Sequence, residues 1–157
     1  IRELTFELRS HTLSDVGFVE AIEELCEHFE KRFSLKTRVS RQEESVAVPQ
    51  HLRGMLYQAV RELLLNVVKH SGQERATIFI SGGEDVHITV EDSGKGFDVS
   101  GRDESVSRNG GFGLFHMSEQ IRHLGGKMDI RSVPGDGTSV MLEVPLLESG
   151  AVAGGDA

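Results

Sequence analysis

From Ala76 to Gly96 the chain reads ATIFISGGEDVHITVEDSGKG. Two runs rich in β-branched and apolar residues, Ala76–Ser81 and Val86–Asp92, flank a turn signal, Ser81-Gly82-Gly83-Glu84-Asp85. That arrangement predicts a β-hairpin. In the second run Val86, Ile88, Val90 and Asp92 fall on one face, because side chains alternate along a strand. Three of the four are apolar, so Asp92 is expected to point inward with them. A carboxylate on a core face is costly unless something donates to it. The segment Ser93-Gly94-Lys95-Gly96 follows at once, and its glycines allow a flat ligand to approach the backbone closely.

A second pair of strands is expected at Lys127–Val133 and Ser139–Pro145, joined by the turn Pro134-Gly135-Asp136-Gly137. Upstream, Phe18, Ile22, Leu25, Phe29 and Phe33 recur at helical steps, and Thr12, Ser14 and Asp15 offer helix-starting side chains. Leu35–Ser40 reads as a strand and Gln42–Val48 as a loop. Pro49 suits the first position of a long helix running to about His70, stopped by Ser71-Gly72. A further helix is expected over Phe112–Leu124, ending at Gly125-Gly126. Ser93–Gly111 is long, polar and glycine-rich, and is expected to be a mobile loop. Helices and strands mixed in this order fit an α+β fold. The expected architecture is a two-layer sandwich with helices on one face of a mixed, mostly antiparallel sheet. The expected organisation is a linker over 1–13, one domain over 14–147 and a frayed tail over 148–157.

The chain has 157 residues, enough for one domain with a sizeable core. The net charge of −8, the absence of tryptophan and the single tyrosine argue against a nucleic-acid partner, which needs cationic and stacking surfaces. The lone cysteine, Cys26, lies on the apolar side of a helix and reads as a small core residue rather than a reactive thiol. It fits a reducing compartment, and a cytoplasmic setting is expected. No apolar run approaches the roughly 20 residues that span a bilayer. The chain opens on Ile1, so it is expected to be a piece of a longer protein, whose relation to a membrane stays open.

Four local signals point to chemistry. On the long helix, with Glu62 at zero and about 100° per residue, Asn66 falls near 40°, Lys69 near −20° and His70 near 80°. This polar stripe beside an apolar face offers oxygens to a hard cation and donors to phosphates, or is simply solvated. Asp92 either initiates a turn or accepts from the exocyclic amine of an adenine ring. Gly110-Gly111-Phe112-Gly113-Leu114 opens a helix, where free N–H groups attract anions, or is merely flexible. Thr138 shares parity with Val140, Leu142 and Val144, so its hydroxyl needs a partner: Asp92, a water or the adenine.

Taken together, Glu62-x-x-x-Asn66-x-x-Lys69-His70, Asp92-x-Gly94-x-Gly96, Gly111-x-Gly113-Leu114 and Gly137-Thr138 resemble the four ATP-site boxes of the GHKL superfamily. That superfamily groups DNA gyrase, heat-shock chaperones, mismatch-repair ATPases and histidine kinases on the Bergerat fold. The runs Arg61–Ser71 and Leu114–Arg122 are similar to sensor kinases of the NarX and DesK type, as is the early segment Leu13–Phe33. The resemblance implies ATP and Mg²⁺ as cofactors. Asn66 would coordinate the Mg²⁺, and Glu62, the catalytic residue, would orient or polarise the reacting groups near it. Lys69 and His70 would contact phosphates. Asp92 would accept from the adenine amine, supported by Gly94, Gly96 and Thr138. Gly111, Phe112, Gly113 and Leu114 would bind the nucleotide, with Gly111 and Gly113 at its phosphates.

Ser93–Gly111 would then be the ATP lid, although beyond Arg102 and Arg108 it shows no evident basic clamp. The γ-phosphate would pass to a histidine on an upstream dimerisation domain, and from there to a response regulator, in a homodimeric parent. Neither nucleic acid nor membrane would contact this domain. His11 is the one early histidine and is not expected to be the phosphoacceptor. His28, His51, His87, His116 and His123 read as structural or exposed, without a zinc-ligand pattern. The competing functions are a hydrolysing ATPase or an anti-sigma-type serine kinase on the same fold, and a nucleotide-binding module without turnover.

Overall fold

The computed structural model describes residues 17–41, 47–71, 75–96 and 112–146. The expected linker, His11, the capping residues Thr12, Ser14 and Asp15, most of the expected lid with Arg102, Arg108, Gly110 and Gly111, and the tail lie outside the described residues. So do the side chains of His70 and Phe112.

The elements run α1 (Phe18–Phe33), β1 (Lys36–Arg41), α2 (Gln50–Asn66), β2 (Arg75–Ser81), β3 (Asp85–Asp92), α3 (Phe112–His123), β4 (Lys127–Val133) and β5 (Gly137–Pro145). The five strands form one sheet in the order β1-β2-β3-β5-β4. β1 and β2 are parallel and every other pair is antiparallel. Parallel neighbours need a long crossover, and α2 supplies it. β5 inserts between β3 and β4, which puts the two candidate strands Asp85–Asp92 and Gly137–Pro145 side by side at the centre.

Strict alternation decides which face is covered. Ala76, Ile78 and Ile80 of β2, Val86, Ile88 and Val90 of β3, and Val140, Leu142 and Val144 of β5 are all buried. Onto this face pack Phe18, Ile22, Leu25 and Phe29 of α1, Leu52, Leu56, Val60, Leu63 and Leu64 of α2, and Met117 and Ile121 of α3, in one continuous core. The α+β sandwich read from the sequence is the fold observed.

Several boundaries differ from expectation. Pro49 is the capping residue just before α2, not its first helical residue. Gly17 occupies the cap of α1 with no side-chain bond. Phe33, placed in the apolar stripe, is 38% exposed, because the chain leaves α1 through the left-handed Ser34 (φ 60°). Its ring is instead covered by Phe29, with centroids 5.2 Å apart, and by the Arg32 guanidinium. The largest difference is at the end of α2. α-Helical bonding stops at Asn66, and Val67–Ser71 form a π-helical turn. A π turn is wider than an α turn, so each residue advances by less than 100°. Lys69 and His70 therefore do not sit at the angles that an ideal wheel assigns them.

Candidate nucleotide-binding site

The polar end of the sheet is built by register. Asp92 on β3 lies opposite Thr138 on β5, and Thr138 lies opposite Ser132 on β4. Directly opposed residues point to the same face, so all three project to the helix side, at the rim where the apolar rows end. Asp92 is half-buried. Its Oδ1 accepts from the Gly94 N–H at 2.7 Å. Burial pushes its carboxyl above the ordinary value, while the backbone amides of Gly94 and Thr138 pull the other way. A carboxylate has about four acceptor positions, so two amides leave room for a further donor. Asp92 thus initiates the turn through the Gly94 amide, and its carboxylate also sits on the helix side of the sheet, as its parity with Val86, Ile88 and Val90 predicts.

Thr138 finds a different partner from those expected. Its Oγ1 lies 2.8 Å from Ser132 Oγ, which also lies 3.0 Å from the Gly137 carbonyl oxygen. The loop after β3 is pinned in turn: the Gly135 N–H donates to the Lys95 carbonyl at 2.6 Å. Gly96 (φ 66°) and Gly137 (φ 88°) both hold left-handed conformations, and a Cβ on either would strike backbone carbonyls, those of Val133 and Asp92 respectively. No other residue type meets both demands. Gly94 is buried beside them.

The other half of the site joins α2 to α3. Gly113, the second residue of α3, packs so close to Glu62 that an added Cβ would lie 2.8 Å from Glu62 Oε2. The start of α3, where backbone N–H groups are free, therefore faces the C-terminal end of α2. Glu62 and Asn66 are one α-turn apart on one stripe and both half-buried. A carboxylate and an amide oxygen side by side suit a hard cation such as Mg²⁺. Lys69 is exposed within the π turn, free to extend towards an anion. Leu114 is buried on the core face of α3 with Met117 and Ile121. Ser132 is the site residue that sequence reasoning missed. Its only signal was the strand register, which the sequence does not print.

A profile of the histidine kinase-, DNA gyrase B- and HSP90-like ATPases matches residues 52–148. The chain belongs to that family. Among curated relatives, the histidine-protein kinase/phosphatase DegS of Brevibacillus brevis is 27% identical over 147 residues, covering 93% of this chain and 37% of that protein. The sensor histidine kinase MctS of Rhizobium johnstonii is 32% identical over 133 residues, covering 84% of this chain and 28% of that protein. The chain thus spans from about a quarter to a little over a third of these relatives. Among solved structures, the blue-light activated histidine kinase of Erythrobacter litoralis EL346 superposes with a TM-score of 0.64 at 21% identity, over 84% of this chain and 42% of that one. The Acinetobacter baumannii kinase AdeS gives 0.62 at 17%, over 82% of this chain and 63% of that one. These structural likenesses establish the ATPase fold of the family for this chain.

Proposed function

We propose that this chain is the ATP-binding catalytic domain of a two-component sensor histidine kinase. The observation that carries the proposal is the half-buried Asp92 carboxylate, held inward by the Gly94 amide at the same end of β3 where a glycine-lined cradle forms. Such a group is built to take a hydrogen-bond donor from a flat ligand, and the exocyclic amine of adenine is that donor. Glu62 and Asn66 supply oxygen ligands suited to Mg²⁺, which on binding would neutralise phosphate charge. The N–H groups at the start of α3 and the Lys69 ammonium receive the phosphates. Phosphoryl transfer asks little of a protein beyond positioning and charge complementarity, and these residues provide both.

The nucleophile in this reading is a histidine on a dimerisation domain of the parent protein, joined through residues 1–13. Phe115, 64% exposed on α3 close to the phosphate end, gives that domain an apolar knob to dock on. A response regulator is the onward acceptor, and the parent is a homodimer with this domain in the cytoplasm. No described helix is long and apolar enough to cross a membrane.

Two measurements test the proposal. The chain should bind ADP with Mg²⁺ in calorimetry. Mixed with the dimerisation segment of its own parent and γ-labelled ATP, it should place acid-labile, base-stable phosphate on that segment, and little on itself. Release of inorganic phosphate without phosphohistidine would make it a hydrolase of the same family instead, and acid-stable phosphate on a protein would make it a serine kinase.

A further inference from the structure

We propose that Asp85, His87 and Glu143 form a binding site for one transition-metal ion of the Zn²⁺ class, on the open face of the sheet. The three residues sit at the end of the β3–β5 ladder away from Asp92 and Thr138. His87 lies directly opposite Glu143 in the register, and Asp85, two residues before His87, projects to the same face. That face is opposite the one carrying Val86 and Ile88, so the helices do not cover it. One carboxylate oxygen from each acid and one imidazole nitrogen lie within 4.8 Å of one another. All three residues are half-buried, and among the described residues none of them takes part in an ion pair or a side-chain hydrogen bond.

Two carboxylates held together with no ion pair to either among the described residues repel each other, and a dication at their centre removes that cost. The imidazole decides which dication. Mg²⁺ prefers oxygen and water, whereas Zn²⁺ and its neighbours take mixed nitrogen and oxygen sets. Three protein ligands with water in the fourth position is a familiar open zinc arrangement. Tetrahedral ligands at Zn²⁺ distances stand about 3.4 Å apart, so binding would draw the three ligand atoms inward from the span of up to 4.8 Å that they hold here. Lys127, opposite Glu143 on β4, is the neighbouring cation. It forms no ion pair with Glu143 among the described residues, so a metal need not break one.

Seven residue steps along β3 carry the chain from Asp85 to Asp92, roughly 24 Å at strand rise. The site therefore lies far from Asp92 and on the sheet face opposite the helix that carries Glu62 and Asn66, and it is independent of the kinase proposal. A bound ion would clip the start of β3 to the end of β5 and stabilise the folded chain.

The test is calorimetric titration of the untagged, metal-free chain with ZnCl₂ in excess Mg²⁺, with thermal unfolding in parallel. The expected result is one Zn²⁺ per chain and a raised Tm that Mg²⁺ alone does not produce. His87→Ala and Glu143→Gln should each weaken binding at least about tenfold, since even groups behind the ligands cost that much. Lys127→Ala should tighten it, and His123→Ala, on α3, should leave it unchanged. Zn²⁺ binding that survives both ligand substitutions, a Tm indifferent to Zn²⁺, or displacement by Mg²⁺ would each overturn the proposal. Should the His87 variant fail to fold, the conservative Glu143→Gln decides.

Discussion

Replacing Asp92 by asparagine separates binding from stability, because the two depend on the carboxylate in opposite senses. The Gly94 N–H already bonds to Oδ1 at 2.7 Å, and the Thr138 amide adds a second donor. Asparagine can satisfy these with its carbonyl, but it then turns an N–H₂ towards the space where the adenine amine would donate. Flipping the amide sets that N–H₂ against the Gly94 N–H instead. Hydrogen bonds to charged groups contribute about 1.5–3 kcal/mol, so ADP affinity should fall by roughly ten- to 150-fold. Stability should not fall with it. Burial holds the Asp92 carboxyl above its ordinary value, so the neutral form is the one the fold prefers. That contribution is fully present below the unfolded carboxyl pKa of about 3.9, and it is lost as pH rises through the raised folded value. Asparagine carries no charge to bury, so the variant's Tm should equal or exceed that of the parent chain at pH 7. The difference should widen in the variant's favour as pH climbs from about 4. Calorimetry with ADP, alongside thermal unfolding across that pH range, measures both effects. A folded Asp92→Asn chain that binds ADP as tightly as the parent would refute the adenine assignment.

Other substitutions test the glycines and the core. Gly137→Ala should destabilise by about 1–2 kcal/mol from its left-handed backbone alone, and by more through collision with the Asp92 carbonyl; denaturant unfolding reads this directly. Gly113→Ala meets only the mobile end of Glu62, so its stability should change by no more than about 0.5 kcal/mol. Its phosphotransfer rate should nonetheless drop about tenfold or more, because the displaced carboxylate stands beside the proposed reacting groups. Thr138→Val should cost about 1 kcal/mol in unfolding experiments through loss of the Ser132 hydroxyl pairing. The Cys26 thiol, pushed up to about 11 chiefly by burial and partly offset by a Thr37 hydrogen bond, should resist thiol reagents at pH 8 until the chain unfolds. Rapid labelling of the native protein would show that α1 opens.

Much of this domain is legible before folding because its signals are local. Alternation in Val86–Asp92 fixes which face each side chain takes, and it also shows that Asp92 breaks an apolar row. The three- and four-residue spacing of Phe18, Ile22, Leu25 and Phe29 depends only on helix geometry. Glycine at 96 and 137 records a backbone demand that no other residue meets.

What the chain's order does not contain is which strand lies beside which. Insertion of β5 between β3 and β4 brings Ser132 to Thr138 and Thr138 to Asp92, and the same ladder sets Glu143 against His87, 56 positions away in the numbering. The π turn at Val67–Ser71 is likewise absent from any local signal in the sequence, and it reorients Lys69 in a way that no ideal wheel anticipates. Local sequence thus determined the elements, their buried faces and the residues that must turn inward, since those follow from dihedral preference and hydrophobic period. The cross-strand neighbours and the meeting of Glu62 with Gly113 emerge on folding alone, because such contacts arise when distant segments compete to bury the same apolar surface.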